Sequence, residues 1–340
     1  MKMDKVRVEK AAGMVLCHDV TRIVPGESKG RAFKKGHIIT EEDIPEFLKL
    51  GKAHIYVQDV DGGVHENDAA LRIARAAAGK GLALSRPCEG KVSLTAGIDG
   101  LLKVNINALD RINDFRDIMF ATRHANHRVS AGAVLAGTRI IPLSIGEEKI
   151  AAVENICNDA FPVIEVKPFY RLKAGMVTTG SEVFKGLVKD GFGPVVRKKF
   201  NELGTRVFRQ VLVPDDTGMT VKAIHGLLDE GARIIAVTGG MSVDPDDLTP
   251  ASITAAGGRI VTYGAPVLPG AMFLLAYIGD VPVIGLPGCV MYHSTSIFDL
   301  VVPRLLAGEV LEKKDFTRMG HGGLCLNCSR CRYPECSFGK

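Results

Sequence analysis

The stretch ARIIAVTGGMSVDPDDLTPASITAAG, residues 232–257, decides the class of fold. Its first part, Ile234 to Val237, is an unbroken apolar run, as a strand covered on both faces requires. The run ends at Gly239-Gly240 and passes an acidic segment, Asp244-Pro245-Asp246-Asp247. It returns to helical pattern at Thr249-Pro250, an N-cap residue followed by a first-turn proline. Strand, glycine turn, helix is the repeating unit of a parallel sheet.

The same unit recurs on either side. Upstream, GMVTTG (175–180) reads as a strand running into a turn, and PVVRKKFNELG (194–204) as a helix stopped by Gly204. RVFRQVLVPDD (206–216) is the next strand and DTGMTVKAIHGLLDEG (216–231) the next helix. Downstream, RIVTYG, MFLLAY and VPVIGLPG follow as strands, and VMYHSTSIFDLVVPRLLAG (290–308) as one closing helix. Such alternation predicts an α/β domain over 166–310, with a mostly parallel sheet and helices on both faces. Ligands of these sheets sit beyond the carboxyl ends of the strands, where every glycine-bearing turn named here falls.

Three of those turns carry the candidate chemistry: Thr178-Thr179-Gly180-Ser181-Glu182, Thr238-Gly239-Gly240-Met241-Ser242, and Leu286-Pro287-Gly288-Cys289. Glycine lets the backbone approach a phosphate, N–H groups at a following helix start favour an anion, and hydroxyls add donors. Taken alone, each is a tight strand-to-helix connection. Carboxylates beside a phosphate hold a divalent cation or move a proton; alternatively, Asp246 and Asp247 merely favour the start of the next helix. Cys289 is either a thiol activated at a helix start or a small residue filling a turn.

Ahead of this domain the pattern is less regular. Residues 1–62 read as a small β-rich module: GMVLCHDV, GRAFKKGHII and KAHIYVQDV as strands, and EEDIPEFLKLG as a short helix between Thr40 and Gly51. Residues 63–165 read as an α+β region. It comprises a helix in HENDAALRIARAAAGKG, a strand in GLLKVNIN, a helix from Leu109 to Ala121, a strand in VLAGTRIIPLSI, and an amphipathic helix in GEEKIAAVENICNDA.

Four of the eight cysteines, Cys325, Cys328, Cys331 and Cys336, crowd the tail at 320–340. In a reducing compartment that crowding predicts metal ligation rather than disulfides. Tetrahedral Zn²⁺ and a [4Fe–4S] cluster both satisfy C-x2-C-x2-C-x4-C, and His321 is an alternative zinc ligand. The net charge of +5 suits an anionic small molecule as well as nucleic acid. Only Arg318, Arg330, Arg332 and Lys340 lie near the tail, which argues against a nucleic-acid knuckle. The N-terminus has no apolar core of a signal peptide, and the most apolar stretch, Val267 to Leu286, is broken by Pro269, Gly270, Gly279, Asp280 and Pro282. The expected setting is cytoplasmic, with no membrane span.

TTGSE, VPDD, VTGGMSVDPDDLTP, PVLPG and GLPGCVMYHSTSIFDLVVPRLLAG occur in an order and spacing that resemble the molybdopterin-binding domain. The resemblance is to the molybdopterin molybdenumtransferase and adenylyltransferase families and runs from Val166 to Gly308. It implies a three-layer α/β/α domain whose ligand is molybdopterin or its adenylylated form, with Mg²⁺ and molybdate as further participants and a homo-oligomeric assembly. It points to Asp247 and Asp216 as catalytic carboxylates. Thr179, Gly180, Ser181, Glu182, Gly239, Gly240, Ser242, Pro269, Gly270, Pro287 and Gly288 become the ligand-binding positions. The chain departs from the transferase pattern at Ser181, where aspartate is usual, at Ala271, where lysine is usual, and at Cys289-Val290, where Asn-Pro is usual. Two functions follow: a molybdenumtransferase-like enzyme assisting molybdate insertion, or a non-catalytic pterin carrier, chaperone or sensor.

Overall fold

The computed structural model describes residues 3–24, 28–58, 63–242 and 247–340. The chain forms two compact units. The first comprises residues 1–98, 103–123 and 131–166, the second 99–102, 124–130 and 167–340.

The second unit holds the site. The strands of its main sheet are β1 (Lys173–Thr179), β2 (Arg206–Val213), β3 (Ile234–Thr238), β4 (Arg259–Tyr263), β5 (Leu274–Ile278) and β6 (Val281–Leu286). Its helices are α1 (Ser181–Phe184), α2 (Phe192–Glu202), α3 (Thr217–Asp229), α4 (Thr249–Ala255), α5 (Cys289–Tyr292), α6 (Ile297–Leu306) and α7 (Lys313–Arg318). The strands form one six-stranded sheet in the order β2-β1-β3-β6-β5-β4. β2, β1, β3 and β6 are mutually parallel, whereas β5 runs antiparallel to both β6 and β4. The expected parallel sheet therefore carries an antiparallel meander at one edge. A physical reason is visible in the sequence: no helix separates β4, β5 and β6, and an antiparallel return needs none.

Alternate residues of the strands feed two cores. Met176, Ile234, Ala236 and Ile284 pack with Val196 and Phe200 of α2 and Phe298 and Val301 of α6. Val177, Ile235, Val237 and Val283 pack with Ile224 and Leu227 of α3 and Ile253 of α4. With both faces covered the architecture is α/β/α, and the period-2 alternation of a strand disappears into a continuous apolar run. The closing helix predicted over 290–308 is two helices. Ser296 accepts a hydrogen bond from the Phe298 N–H while Asp299 accepts one from the Ser296 N–H, a capping box that restarts the chain as α6.

In the first unit, strands Leu82–Leu84, Lys91–Ala96, Val134–Ile140 and Ile118–Thr122 form an antiparallel sheet in that order. Helix Glu66–Ala77 packs on it and on helix Glu147–Asp159. Arg72 joins the two helices through Glu147 and Glu154. The helix expected over 109–121 is Ile106–Asn113 instead. Asn105 caps it through the Ala108 N–H, and 118–122 alternates buried and exposed residues as an edge strand does. Near the N-terminus, strand Met3–Arg7 pairs with His54–Gln58, and Val20–Val24 with Ser28–Phe33. Of the segment expected as strand at 13–20, Val20 opens the strand paired with Ser28–Phe33, and Val15 and Leu16 make only single bridges. Val8, Leu16, Phe33, Ile39, Phe47 and Ile55 form this module's own core.

Candidate functional site

β1 runs out through α2 to β2 on one side, and β2 returns through α3 to β3 on the other. The direction of winding thus reverses between β1 and β3. A crevice opens at such a reversal, outside the carboxyl ends of the strands. In register, Thr178 lies opposite Thr238, Thr179 opposite Val213, and Thr238 opposite Leu286. The turns at 180–182, 214–216, 239–242 and 287–289 therefore leave the sheet at one edge, side by side. β4 is parallel to this set and β5 begins beside Gly285, so the connection containing Pro269 and Gly270 emerges at the same edge.

At the reversal the backbones press together. Gly239 and Gly240 both have positive φ, 86° and 54°. A Cβ on Gly239 would lie 2.2 Å from the Thr179 carbonyl oxygen. Side chains cannot be accommodated there, and glycine is required on both counts. The Thr249 hydroxyl donates to the Gly239 carbonyl at 2.8 Å and lies 3.4 Å from the Thr179 hydroxyl. Thr249, expected as an N-cap, sits inside α4 and pins the double-glycine turn. Behind it, Gln210 donates to the Thr178 hydroxyl at 2.9 Å, and the Thr238 hydroxyl donates to the same oxygen at 3.0 Å.

The carboxylates have divided roles. Asp215 accepts from the Ser181 N–H at 2.8 Å, and its own N–H donates to the Ser181 hydroxyl at 3.2 Å. That reciprocal pair ties the first turn to the end of β2. Asp216 accepts from the Met219 N–H at 2.7 Å and is the N-cap of α3. Asp247 accepts from the Ser242 N–H at 2.6 Å, which folds the second turn back on itself. Burial and the nearby Asp247 charge push the Tyr263 hydroxyl above its ordinary pKa. That hydroxyl donates to the carbonyls of Met241 and Ser242, at 3.3 and 3.2 Å. Asp244 and Asp246 lie outside the described residues. Glu182 is exposed and leans back over Gly180.

The third turn is more closed than the first two. Pro287 is buried, Gly288 exposed, and burial pushes the Cys289 thiol up, the opposite of activation. A Cβ on Gly270 would lie 2.5 Å from that of Ile297, and the Pro269 carbonyl accepts from the Ile297 N–H at 3.2 Å. Pro269-Gly270 is thus a packing joint against the start of α6. Asp215, Thr249 and Tyr263 are the participants that sequence reasoning missed. The Asp-Asp pair at 215–216 offered both carboxylates, and helix-start logic would have given Asp216 to the cap. Nothing local marks Tyr263.

The tail cysteines are gathered differently. All four are free and line one cavity of about 150 Å³ together with the segment Tyr292 to Thr295. Among the described residues no group of three or more His, Cys, Asp or Glu is drawn together tightly enough to hold a metal ion. The expected single-ion zinc site is therefore not preformed, and neither is a three-ligand Mg²⁺ site. No helix among the described residues is long and apolar enough to cross a membrane.

Comparison with known proteins agrees with this architecture. Residues 175–307 match the family described as "probable molybdopterin binding domain", and residues 5–59 match a family described only as a domain of unknown function. A CinA-like protein of Mycobacterium sp. (strain MCS) is 33% identical over 87 residues, covering 26% of this chain and 21% of its own. The molybdopterin adenylyltransferase of Pyrococcus furiosus is 28% identical over 92 residues, 27% of this chain and 54% of its own. The molybdopterin molybdenumtransferase of Synechococcus elongatus is 24% identical over 120 residues, 33% of this chain and 30% of its own. The chain thus spans about a fifth of the length of the CinA-like relative and about half that of the adenylyltransferase. The family match covers residues 175–307, the segment whose strand-end turns lie side by side, so it is this segment that resembles a molybdopterin-binding domain.

Proposed function

We propose that the chain binds molybdopterin, or its adenylylated form, at the β1–β3 reversal and assists molybdate insertion as a molybdenumtransferase-like protein. The observation that carries this is the meeting of the Thr179-Gly180 and Gly239-Gly240 turns in adjacent register, with Asp247 folded onto Ser242 beside them. A terminal phosphate suits this edge because close backbone approach and hydroxyls converge there. Mg²⁺ usually takes one or two carboxylates and completes its shell with water and substrate phosphate. One carboxylate, Asp247, is therefore a sufficient protein contribution, and the lack of a three-ligand cluster among the described residues is compatible with it. In this reading Asp247 holds the cation at the phosphate, Ser242 and Thr179 orient the phosphate, and Asp216 acts through α3 by fixing its first turn.

Two features support a carrier instead. Ser181 occupies the transferase's usual aspartate position and is engaged with Asp215, and Ala271 replaces the usual lysine. Two experiments separate the readings. Titration of the purified protein with molybdopterin, followed by fluorescence, should saturate; no binding would sink both. Rescue of a strain lacking molybdenumtransferase supports the enzyme, while binding without rescue supports the carrier. Asp247→Asn should abolish rescue with an unchanged unfolding midpoint, and a fully active variant would remove Asp247 from the mechanism.

A further inference from the structure

The tail is held on a fixed frame. The Cys325 N–H donates to the Leu268 carbonyl at 2.8 Å, and the Gly339 N–H closes the base of the loop onto the Gly322 carbonyl at 2.9 Å. Between these ties the Tyr333 hydroxyl donates to the Asp299 carbonyl at 3.0 Å, and Phe338 is 2% exposed in the core of the second unit. Cys331 lies 3.1 Å from the Thr295 hydroxyl, across the cavity wall.

Four thiols thus stand around a space rather than at a point. Tetrahedral zinc demands four sulfurs at about 2.3 Å from one centre. Here no three potential ligands converge that closely among the described residues, and the open cavity whose wall they share is about 150 Å³. A [4Fe–4S] cluster is bound by cysteines held apart, each on its own iron, and does not require four sulfurs to meet at one centre. The C-x2-C-x2-C run is also the spacing by which three cysteines of a bacterial ferredoxin grip one cluster.

We propose that Cys325, Cys328, Cys331 and Cys336 ligate a [4Fe–4S] cluster in this cavity. Each thiol gives up its proton to solvent and binds one iron through sulfur. The proposal is independent of pterin binding, which takes place at the strand-end turns.

The test is anaerobic reconstitution of the full chain with ferrous and ferric iron in equal amounts and sulfide, which together supply the cluster's atoms and electrons. The wild-type protein should take up ~4 iron and ~4 sulfide per chain and show broad thiolate-to-iron absorption in the visible. Cys328→Ser and Cys331→Ser change exposed residues, so they should fold as the wild type does by circular dichroism. Each should lose most of the bound iron, whereas Cys88→Ser, at an exposed cysteine of the first unit, should keep it. Failure of the wild type to form the chromophore overturns the proposal, as does undiminished iron in both tail variants. Titration with Co²⁺ alone is the competing arm: a tight one-to-one tetrathiolate spectrum in a protein that forms no iron–sulfur chromophore assigns the site to a single ion and overturns it as well.

Discussion

Asp216 and Asp247 are both carboxylates beside glycine turns, and their environments give them different work. Asp216 caps α3, so its loss is first a loss of a helix start. Asp216→Ala should cost about 1 kcal/mol of unfolding free energy, while Asp216→Asn, whose amide oxygen can still cap, should cost a few tenths at most. Urea denaturation of the two variants checks this, and equal losses would show that the cap is not what the side chain contributes. Gly239 is the most constrained residue at the site, because both its φ of 86° and the 2.2 Å approach to the Thr179 carbonyl exclude a Cβ. Gly239→Ala should destabilise the second unit by about 2 kcal/mol or more and abolish pterin binding, since the turn must open to admit the methyl group. A folded variant with wild-type binding would separate the turn from the ligand.

At the scale of elements, α2 and α6 are joined through a buried ion pair. Lys199, 8% exposed, donates to both oxygens of Asp299 at 3.0 and 2.8 Å and to the Ser294 carbonyl at 2.8 Å. Asp299 is simultaneously the far half of the capping box that starts α6. Removing only the cation leaves a buried carboxylate unmatched, so Lys199→Met should cost about 3–5 kcal/mol. Lys199→Met/Asp299→Leu should recover part of that, and no recovery in chemical denaturation would mean that the cap, not the charge, dominates. The helix break at 293–296 is missed when 290–308 is read as one helix, although Ser296 and Asp299 carry the spacing of a capping box within that run. The strand at 118–122 was not legible, because Ile118 to Thr122 is too short for its period to stand out from the preceding helix.

At the scale of the molecule, the second unit is discontinuous in sequence. Residues 100–101 pair with 128–129, His127 donates from Nε2 to the Gly339 carbonyl at 3.2 Å, and Tyr333 packs 5.6 Å from its ring. The His127 Nδ1 is buried with no partner among the described residues, and burial, with smaller effects from Lys340 and His124, holds its pKa below the ordinary value. A histidine whose folded pKa is depressed contributes full stability above the unfolded pKa of about 6.5 and loses it as pH falls toward the folded value. Acidification from 7 should therefore release protection of the tail amides in hydrogen exchange before the sheet amides respond. His127→Gln should abolish that pH dependence, and its persistence in the variant would assign it to another group.

What the chain determined by itself is the α/β alternation, the turns that bear glycine, and the acidic and thiol residues, because hydrophobic period, glycine and cap chemistry are local in sequence. Only the tertiary structure decided that the turns share an edge, since strand order is set by which faces of the sheet α2 and α3 cover. Likewise, only folding separated Asp215, Asp216 and Asp247 into tie, cap and candidate ligand. The same holds for the tail: spacing announces four cysteines, but whether they enclose a point or a space depends on Leu268, Asp299 and Gly322, residues that no spacing rule connects to them.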